Sequence, residues 1–452
     1  MNQSALVRLV LPDVRELLHE AKKEDIARAL KPFHAADVAE LVERLEDQDA
    51  ATLVAALPDG KRAEVFEQLE TPQCARLVSL LGPEALAPSI VRMASDDRAR
   101  LVAALPPELG QRLVALFPAD ERQDVAELSK YAAGTAGAIM TSDHVGLKPA
   151  ETVKDAIDHI RQVARRRETI YALYVVDEHD HLLGAVSLET LLLSASDKTM
   201  MDIMLAPISV KVDADQESVV ATLRHYDFLA VPVVDKQGKL LGIVTHDDAL
   251  DVATQEATED AQKMGGMAPL SASYFDTSFP RLIRARAVWL SVLFFTELVG
   301  GMVLKGQEEV IHKVLPLVFF LPLITASGGN SGAQAATLVT RGLAVGDIRL
   351  DDVWRILRRE LAAGATLGTL LGTYAIVVAW VWGVESFRGV ALTVWITLLC
   401  VVTAGSLLGS LMPVFMARIG IDPAVTSSPL VTCLVDVLGI VILTTVAGMV
   451  LL

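Results

Sequence analysis

Residues 173–187, LYVVDEHDHLLGAVS, and residues 231–245, VPVVDKQGKLLGIVT, are one pattern written twice at an offset of 58. Each copy is a short apolar run, a polar turn and a second apolar run ending in a hydroxyl. Acidic helical patterns beginning at Glu151 and Glu217 precede the copies, and a further helical pattern follows each. Apolar runs bounded by turn residues read as strands, so each copy predicts a βαββα unit, the two in tandem over roughly 131–250.

Past the second copy the chemistry changes. The stretch DDALDVATQEATED (247–260) places Glu256, Glu259 and Asp260 at i, i+3 and i+4 of a helix, with Asp248, Asp251, Gln255 and Glu259 on an adjoining stripe. Like charges at these spacings cost a helix a few tenths of a kcal/mol each unless something positive intervenes. No basic residue occurs until Lys263. Two readings stand: a solvated acidic helix, or one whose missing charge is supplied by divalent ions.

From residue 281 the chain turns apolar. Five stretches, 287–304, 314–340, 361–384, 389–417 and 424–452, approach or exceed the ~20 residues a helix needs to cross a bilayer. They are too long for barrel strands. With the N-terminal half cytoplasmic, Arg281, Arg284, Arg286, Arg341, Arg349, Arg355, Arg358, Arg359 and Arg418 lie inside, against Lys305, Lys313 and Arg388 outside. Five spans then put the C-terminus outside. The N-terminal sequence shows no complete signal-peptide core, so the first ~280 residues are expected to remain on the side of synthesis.

Polar residues inside these spans are costly and normally face a cavity, a partner or an ion path. Asp436 lies in DPAVTSSPLVTCLVDVLG (422–439), where small and hydroxylated residues such as Thr432 can approach neighbours or offer oxygens; it reads as facing an ion path, with a buried, protonated acid hydrogen-bonded to an adjacent helix as the alternative. Glu297, in the first span, is divided between a pore role and a structural hydrogen bond. Gly328, Gly329, Asn330, Gly332 and Gln334 crowd the second span. Such a run predicts a broken helix lining a wet cavity, with close helix packing as the alternative. Gly364, Gly368 and Gly372 read as a packing seam.

Composition fits this division. The chain of 452 residues is 52% hydrophobic yet carries a net charge of −16, with a mean hydropathy of +0.42. Residues 1–280 hold 28 basic and 46 acidic side chains, a net of −18; residues 281–452 hold 12 and 10, a net of +2. So acidic a cytoplasmic half argues against nucleic acid and for cations. Cys74, Cys400 and Cys433 have no CxxC spacing, which excludes a disulfide framework and predicts three small buried hydrophobes. Residues 1–130 show amphipathic helical patterns, and AALP at 55–58 recurs at 103–106, predicting stacked helix pairs. Asp96-Asp97 is a helix N-terminal charge pair or part of a cation site. No catalytic motif accompanies the acids, so an enzyme is not expected.

The duplicated unit resembles a pair of cystathionine-β-synthase (CBS) domains, regulatory modules that bind adenine nucleotides or metals. In that family a Thr or Ser followed two residues later by Asp holds the ribose. The second copy offers Thr245-His246-Asp247-Asp248, whereas Ser187-Leu188-Glu189-Thr190 in the first lacks the acid. At most one nucleotide site, at Thr245 and Asp248, is implied for ATP or a related nucleotide; alternatively Asp248 holds a cation. The whole order of parts resembles the MgtE family of magnesium channels: a helical domain (1–130), a CBS pair (131–250), an acidic connecting helix (251–280) and a membrane domain (281–452). Pro322 with the run from Gly328 to Gln334, the stretch from Asp422 to Asp436, and Glu256-Ala257-Thr258-Glu259-Asp260 carry it. Ser428 departs from it, standing where the family usually has Gly.

The resemblance implies an all-α superhelical N-terminal domain, an α/β CBS pair and five transmembrane helices. It implies a homodimer in the cell membrane with one central pore at Asp436, and a cytoplasmic half that closes the pore when Mg2+ binds. Expected regulatory ligands are Asp227, Asp248, Asp251, Glu256, Glu259 and Asp260, with Glu217, Asp96 and Asp97. Rival readings are a transporter of Co2+, Mn2+ or Ca2+ on the same scaffold, and a membrane-anchored nucleotide sensor.

Overall fold

The protein is described by a computed structural model covering residues 5–20, 23–164, 167–270, 274–275, 277–313, 315–384 and 387–451. It divides into two compact units, Met1–Thr254 and Gln255–Leu452.

The first unit begins with helices α1 (Ala5–Glu20), α2 (Lys23–Leu30), α3 (Ala35–Glu43), α4 (Asp47–Ala56), α5 (Asp59–Gln68), α6 (Thr71–Leu81), α7 (Pro83–Ile90), α8 (Ser95–Ala104), α9 (Pro107–Ala115) and α10 (Ala119–Leu128). Each packs on the helix two places along, α1 on α3 through to α8 on α10. That is a superhelical stack, and the repeated AALP stretches stand at the equivalent ends of α4 and α8. Apolar residues such as Leu41, Leu53, Val65, Leu77 and Ile90 are fully buried along one continuous core. At a break between helices, Arg62 donates to the carbonyl oxygens of Val54 (2.9 Å) and Leu57 (2.6 Å), satisfying groups a helix end leaves orphaned.

Two equivalent modules follow. In the first, β1 (Gly146–Leu147), α11 (Val153–Val163), β2 (Ala172–Val176), β3 (Leu182–Ser187) and α12 (Leu188–Leu193) form a sheet ordered β1-β2-β3, with the short α13 (Met200–Ile203) behind it. In the second, β4 (Val210–Lys211), α14 (Gln216–Tyr226), β5 (Ala230–Val234), β6 (Leu240–Thr245) and α15 (His246–Met264) repeat the plan. The inner strand pairs in parallel on one side and antiparallel on the other in both, and each copy has its register shift at the same place, Val175/Val176 and Val233/Val234. The strands named from the repeat are therefore the strands present. The acidic helix runs from His246, inside the second module, to Met264.

The second unit is helical: α16 (Phe279–Gly306), α17 (Glu308–Lys313), a 3-10 turn (Leu315–Phe320), α18 (Leu321–Val345), α19 (Val353–Val381), α20 (Phe387–Arg418) and α21 (Ser428–Val450). Pro280, Pro322 and Pro429 stand in the first turns of α16, α18 and α21, where a missing N–H costs nothing. Helix α20 lies at the centre, packed on α18, α19 and α21, and α16 packs mainly on α21 with little of its surface covered.

Four of these helices are long and apolar enough to cross a membrane: α16, α19 with its leading turn, α20 and α21. The remaining expected span is α18, whose 25 residues measure about 37 Å. It is less apolar because of the polar and glycine run from Ser327 to Gln334. Its glycines meet α20 and α21 instead of lipid. At Gly364, Gly368 and Gly372 an added Cβ would come within 2.7 Å of Thr403, Leu399 and Trp395, so the seam is the α19–α20 contact. Cys74 and Cys433 are buried, but Cys400, expected to be, is exposed, because it lies on the side of α20 turned away from the bundle.

Candidate cation sites

In the first unit the stack and the second module bring three acids together. Asp96 and Asp97 sit in the first turn of α8, and Asp248 in the first turn of α15. The two segments are tied by hydroxyls: Ser95 Oγ lies 3.0 Å from Thr141 Oγ1 and accepts from the backbone N–H of Ser142 at 2.8 Å, while Thr141 exchanges backbone hydrogen bonds with Ile243 of β6. Arg98, fully buried, pairs with Glu121 of α10 and donates to the carbonyl oxygens of Val91 (2.9 Å) and Met93 (3.1 Å), fixing the entrance to α8.

One guanidinium reaches all three acids. Arg100 lies 3.0 Å from Asp96 Oδ2, 3.3 Å from Asp97 Oδ1 and 3.9 Å from Asp248 Oδ1. The other oxygen of Asp248 accepts from Thr245 Oγ1 at 2.6 Å. It is therefore Asp248, three residues on, rather than Asp247 that pairs with the hydroxyl of the suspected ribose motif; Asp247 is exposed. The other oxygen of Asp96 is buried with no hydrogen-bond partner. Burial pushes the Asp96, Asp97 and Asp248 carboxyls upward, and their mutual repulsion adds to it. Burial and then Asp96 and Asp248 raise Glu168 to about 8. For Arg100, burial works against the charged form but is outweighed by Asp97, Asp96, Asp248 and Asp251, so its pKa rises. An excess of negative charge is thus held at one spot with an oxygen to spare, a donor set suited to a hard cation. Among the described residues, no group of three or more His, Cys, Asp or Glu side chains is already arranged around a metal position.

The remaining predicted ligands do not all converge. Asp251 is exposed one turn beyond Asp248, and its charge is felt at Asp97 and Arg100. Glu217 opens α14 and Asp227 closes it in a left-handed conformation (φ 52°), both exposed. The helix between them holds them about 15 Å apart, so they do not share one ion within a chain. Glu256, Glu259 and Asp260 occupy the far half of α15, about 16 Å beyond Asp248 for Glu259. There the basic residue absent from the preceding stretch appears: Lys263 Nζ lies 2.6 Å from both Glu259 and Asp422. Asp422 in turn caps the turn before α21, its Oδ1 accepting from the Ala424 N–H at 2.8 Å. Burial, reinforced by Asp422, raises the Asp260 carboxyl.

In the second unit Asp436 sits mid-way along α21, partly buried, with Oδ1 buried and unpartnered. Glu297 of α16 interacts with Asp436 and with Cys433. The expectation of a broken helix at Gly328–Gly332 is not met, since α18 runs through it. A Cβ at Gly328, Gly329 or Gly332 would come within 3 Å of Val435, Thr432 or Val431 respectively. These glycines let α18 close on α21 and α20, which is why their cost is tolerated. Asn330 and Gln334, four apart on the other face, are exposed. Thr432 Oγ1 donates to the Ser428 carbonyl at 3.0 Å. Ser428 opens α21 without a positive φ, so the departure from Gly costs the backbone nothing.

Arg100, Arg98 and Glu168 were not among the residues that the sequence singled out. Arg100 alone had a visible signal, a spacing of i+3 and i+4 from Asp97 and Asp96.

The fold and its acids define a class: a membrane transporter of divalent cations that carries a tandem CBS module. Residues 321–446 match the family model MgtE, described as a divalent cation transporter; 33–134 match the MgtE intracellular N domain, and 136–197 and 200–254 each match a CBS domain. Proteins named magnesium transporter MgtE from Thermus thermophilus (37% identity over 342 residues, 75% of each chain) and Enterococcus faecalis (35% over 332 residues, 73% of this chain and 72% of that one) are similar to it. A crystal structure of the cytosolic domain of the Mg2+ channel MgtE in complex with ATP covers 54% of this chain and 99% of its own, at 33% identity and a TM-score of 0.52. The soluble part of a magnesium transporter covers 56% and 99%, at 32% identity and a TM-score of 0.52. The chain belongs to the MgtE family.

Proposed function

We propose that this chain conducts Mg2+ through the cell membrane as a homodimer and that its cytoplasmic acids close the path when cytosolic Mg2+ is plentiful. The observation that carries the transport reading is Asp436, a mid-span carboxylate with an unpartnered buried oxygen. A carboxylate at that depth costs about 3 kcal/mol to insert, which a structural helix has no reason to bear. Two copies of Asp436 about a dimer axis attract a hydrated divalent ion without stripping it, which suits a cation that gives up water reluctantly. Asn330, Gln334 and Thr432 supply the uncharged oxygens of the same path, and Gly328, Gly329 and Gly332 let its helices close. The regulatory ion is held by Asp96, Asp97 and Asp248, with Asp251, Glu217, Asp227, Glu256, Glu259 and Asp260 on further positions. As the alternative to an ion at Asp248, Thr245 and Asp248 hold the ribose of ATP or a related nucleotide. The domains are those of residues 1–130, 131–250, 251–280 and 281–452, with the first three cytoplasmic and the C-terminus outside, and the chain has no catalytic activity.

Flux of Mg2+, Mn2+, Co2+ and Ca2+ into liposomes carrying purified protein, compared with Asp436→Ala, tests the reading. Mg2+ flux lost in the variant is expected. Unchanged flux removes Asp436 from the path, and no flux of any divalent ion would leave a nucleotide sensor with a membrane anchor.

A further inference from the structure

The Asp96, Asp97 and Asp248 cluster already holds a cation of its own. Arg100 points its guanidinium at all three carboxylates, at 3.0, 3.3 and 3.9 Å. The partners differ in exposure: the Asp96 side chain is 2% exposed at the start of α8, whereas Arg100 is 42% exposed at the end of a long side chain. One positive charge faces at least three negative ones, so the arginine holds the cluster without neutralising it. A divalent ion brings twice the charge, bonds carboxylate oxygens at about 2.0–2.1 Å, and cannot share the point where the guanidinium sits. Arg100 leaves the other, buried oxygen of Asp96 without a hydrogen-bond partner.

We propose that Arg100 is a tethered competitor of the regulatory divalent ion: it holds α8 to the start of α15 when Mg2+ is scarce, and swings into solvent when the ion binds. This rests on the reading of Asp96, Asp97 and Asp248 as a divalent-cation site. Competition sets the Mg2+ concentration at which the cytoplasmic half responds, and the arginine makes that concentration higher than the acids alone would require. It also keeps the acids from driving the two segments apart in the metal-free state.

The test is a Mg2+ titration of full-length protein in detergent, read by protease protection and by thermal unfolding, for the wild type, Arg100→Gln and Arg100→Lys. Arg100→Gln is expected to reach half-protection at a Mg2+ concentration about three- to tenfold lower, the size expected for removing one partly screened charge. Its melting temperature falls in chelator and recovers in Mg2+, while Arg100→Lys stays nearer the wild type. A midpoint unchanged or raised in Arg100→Gln overturns the proposal, as does an equal loss of stability with and without Mg2+, which would make Arg100 a structural brace. If the wild type itself shows no Mg2+ response, the cation-site reading fails first and takes this inference with it.

Discussion

Both units of this molecule bury acids, but they compensate them differently. In the first unit Asp96, Asp97 and Asp248 converge on Arg100, whose charge is supplied by the chain. In the second, Asp436 meets another acid, Glu297, and keeps an oxygen without a partner. A cluster with an internal counter-charge can rest, and a charge arriving from outside must compete for it. The two acids hydrogen-bond to each other, which leaves one buried oxygen of Asp436 unserved by the chain and free to meet a passing ion. The first arrangement suits a sensor and the second suits a path.

The largest expected effect separates the two regions outright. Asp436→Ala should reduce Mg2+ flux into liposomes about a hundredfold or more while leaving Mg2+ protection of the cytoplasmic unit from protease intact. Asp96→Asn should do the reverse, preserving flux and removing its inhibition by Mg2+. Loss of flux in both variants would break the division of labour. Unit charges about 4 Å apart at an effective dielectric of about 20 attract by about 4 kcal/mol, more than the roughly 2.8 kcal/mol that a hundredfold change represents.

Next in size is packing. Adding a methyl at Gly409, whose Cβ position is filled by the Gly332 backbone, should cost about 1–3 kcal/mol and lower the melting temperature in detergent. Gly306→Ala, where a Cβ meets open space, should leave it unchanged. Equal losses in both would mean that α18 and α20 do not pack as described.

A smaller effect concerns pH in divalent-free buffer. Glu168, raised to about 8, and Asp96, Asp97 and Asp248, also raised, bind protons more readily folded than unfolded. A raised carboxylate penalises folding when ionised, and protonation lifts that penalty as pH falls through the folded value. Stability of the cytoplasmic unit should therefore rise as the pH is lowered from about 8 towards 6, well above the ordinary carboxylate range. Saturating Mg2+ should flatten the trend, because bound metal then relieves the same repulsion. Melting curves at several pH values with chelator or Mg2+ decide it, and a trend identical in both would detach the metal from these acids.

Smallest is Lys263→Met. The ammonium bridges Glu259 and Asp422 near the surface, and its loss should cost about 1 kcal/mol or less, seen as faster amide exchange over residues 259–266 with flux retained. Exchange unchanged there would show that the bridge does not order the end of α15.

Much of the architecture was legible because it rests on local periodicity. The strand pairs of residues 173–187 and 231–245 lie where the apolar runs and turns put them, and the apolar stretches became α16, α18, α19, α20 and α21 with ends shifted by up to eight residues. The glycine seam at Gly364, Gly368 and Gly372 also read correctly, since only backbone contact makes glycine every fourth residue worthwhile. The run at Gly328–Gly332 misled for the same reason. Glycine spacing signals close approach, but whether a neighbouring helix or water fills the gap depends on what packs there, and here α20 and α21 do.

Candidate residues divide similarly. Asp436 stood out because a charge within an apolar span has a cost that sequence alone reveals. Asp96, Asp97 and Asp248 could be named as acids but not joined, since more than 150 positions lie between them and only the stacking of α8 beside the second module makes them neighbours. Arg100 acquires its role only because the fold places Asp248 in its reach. The sequence by itself determined the kinds of element, their order, the membrane half and the acid inside it, because hydrophobic period and the cost of buried charge are local quantities. Tertiary structure alone decided which acids share a counter-charge, which oxygen of Asp96 is left over and which face of α18 is open. Coulomb energies depend on distances between residues that the chain keeps far apart until it folds.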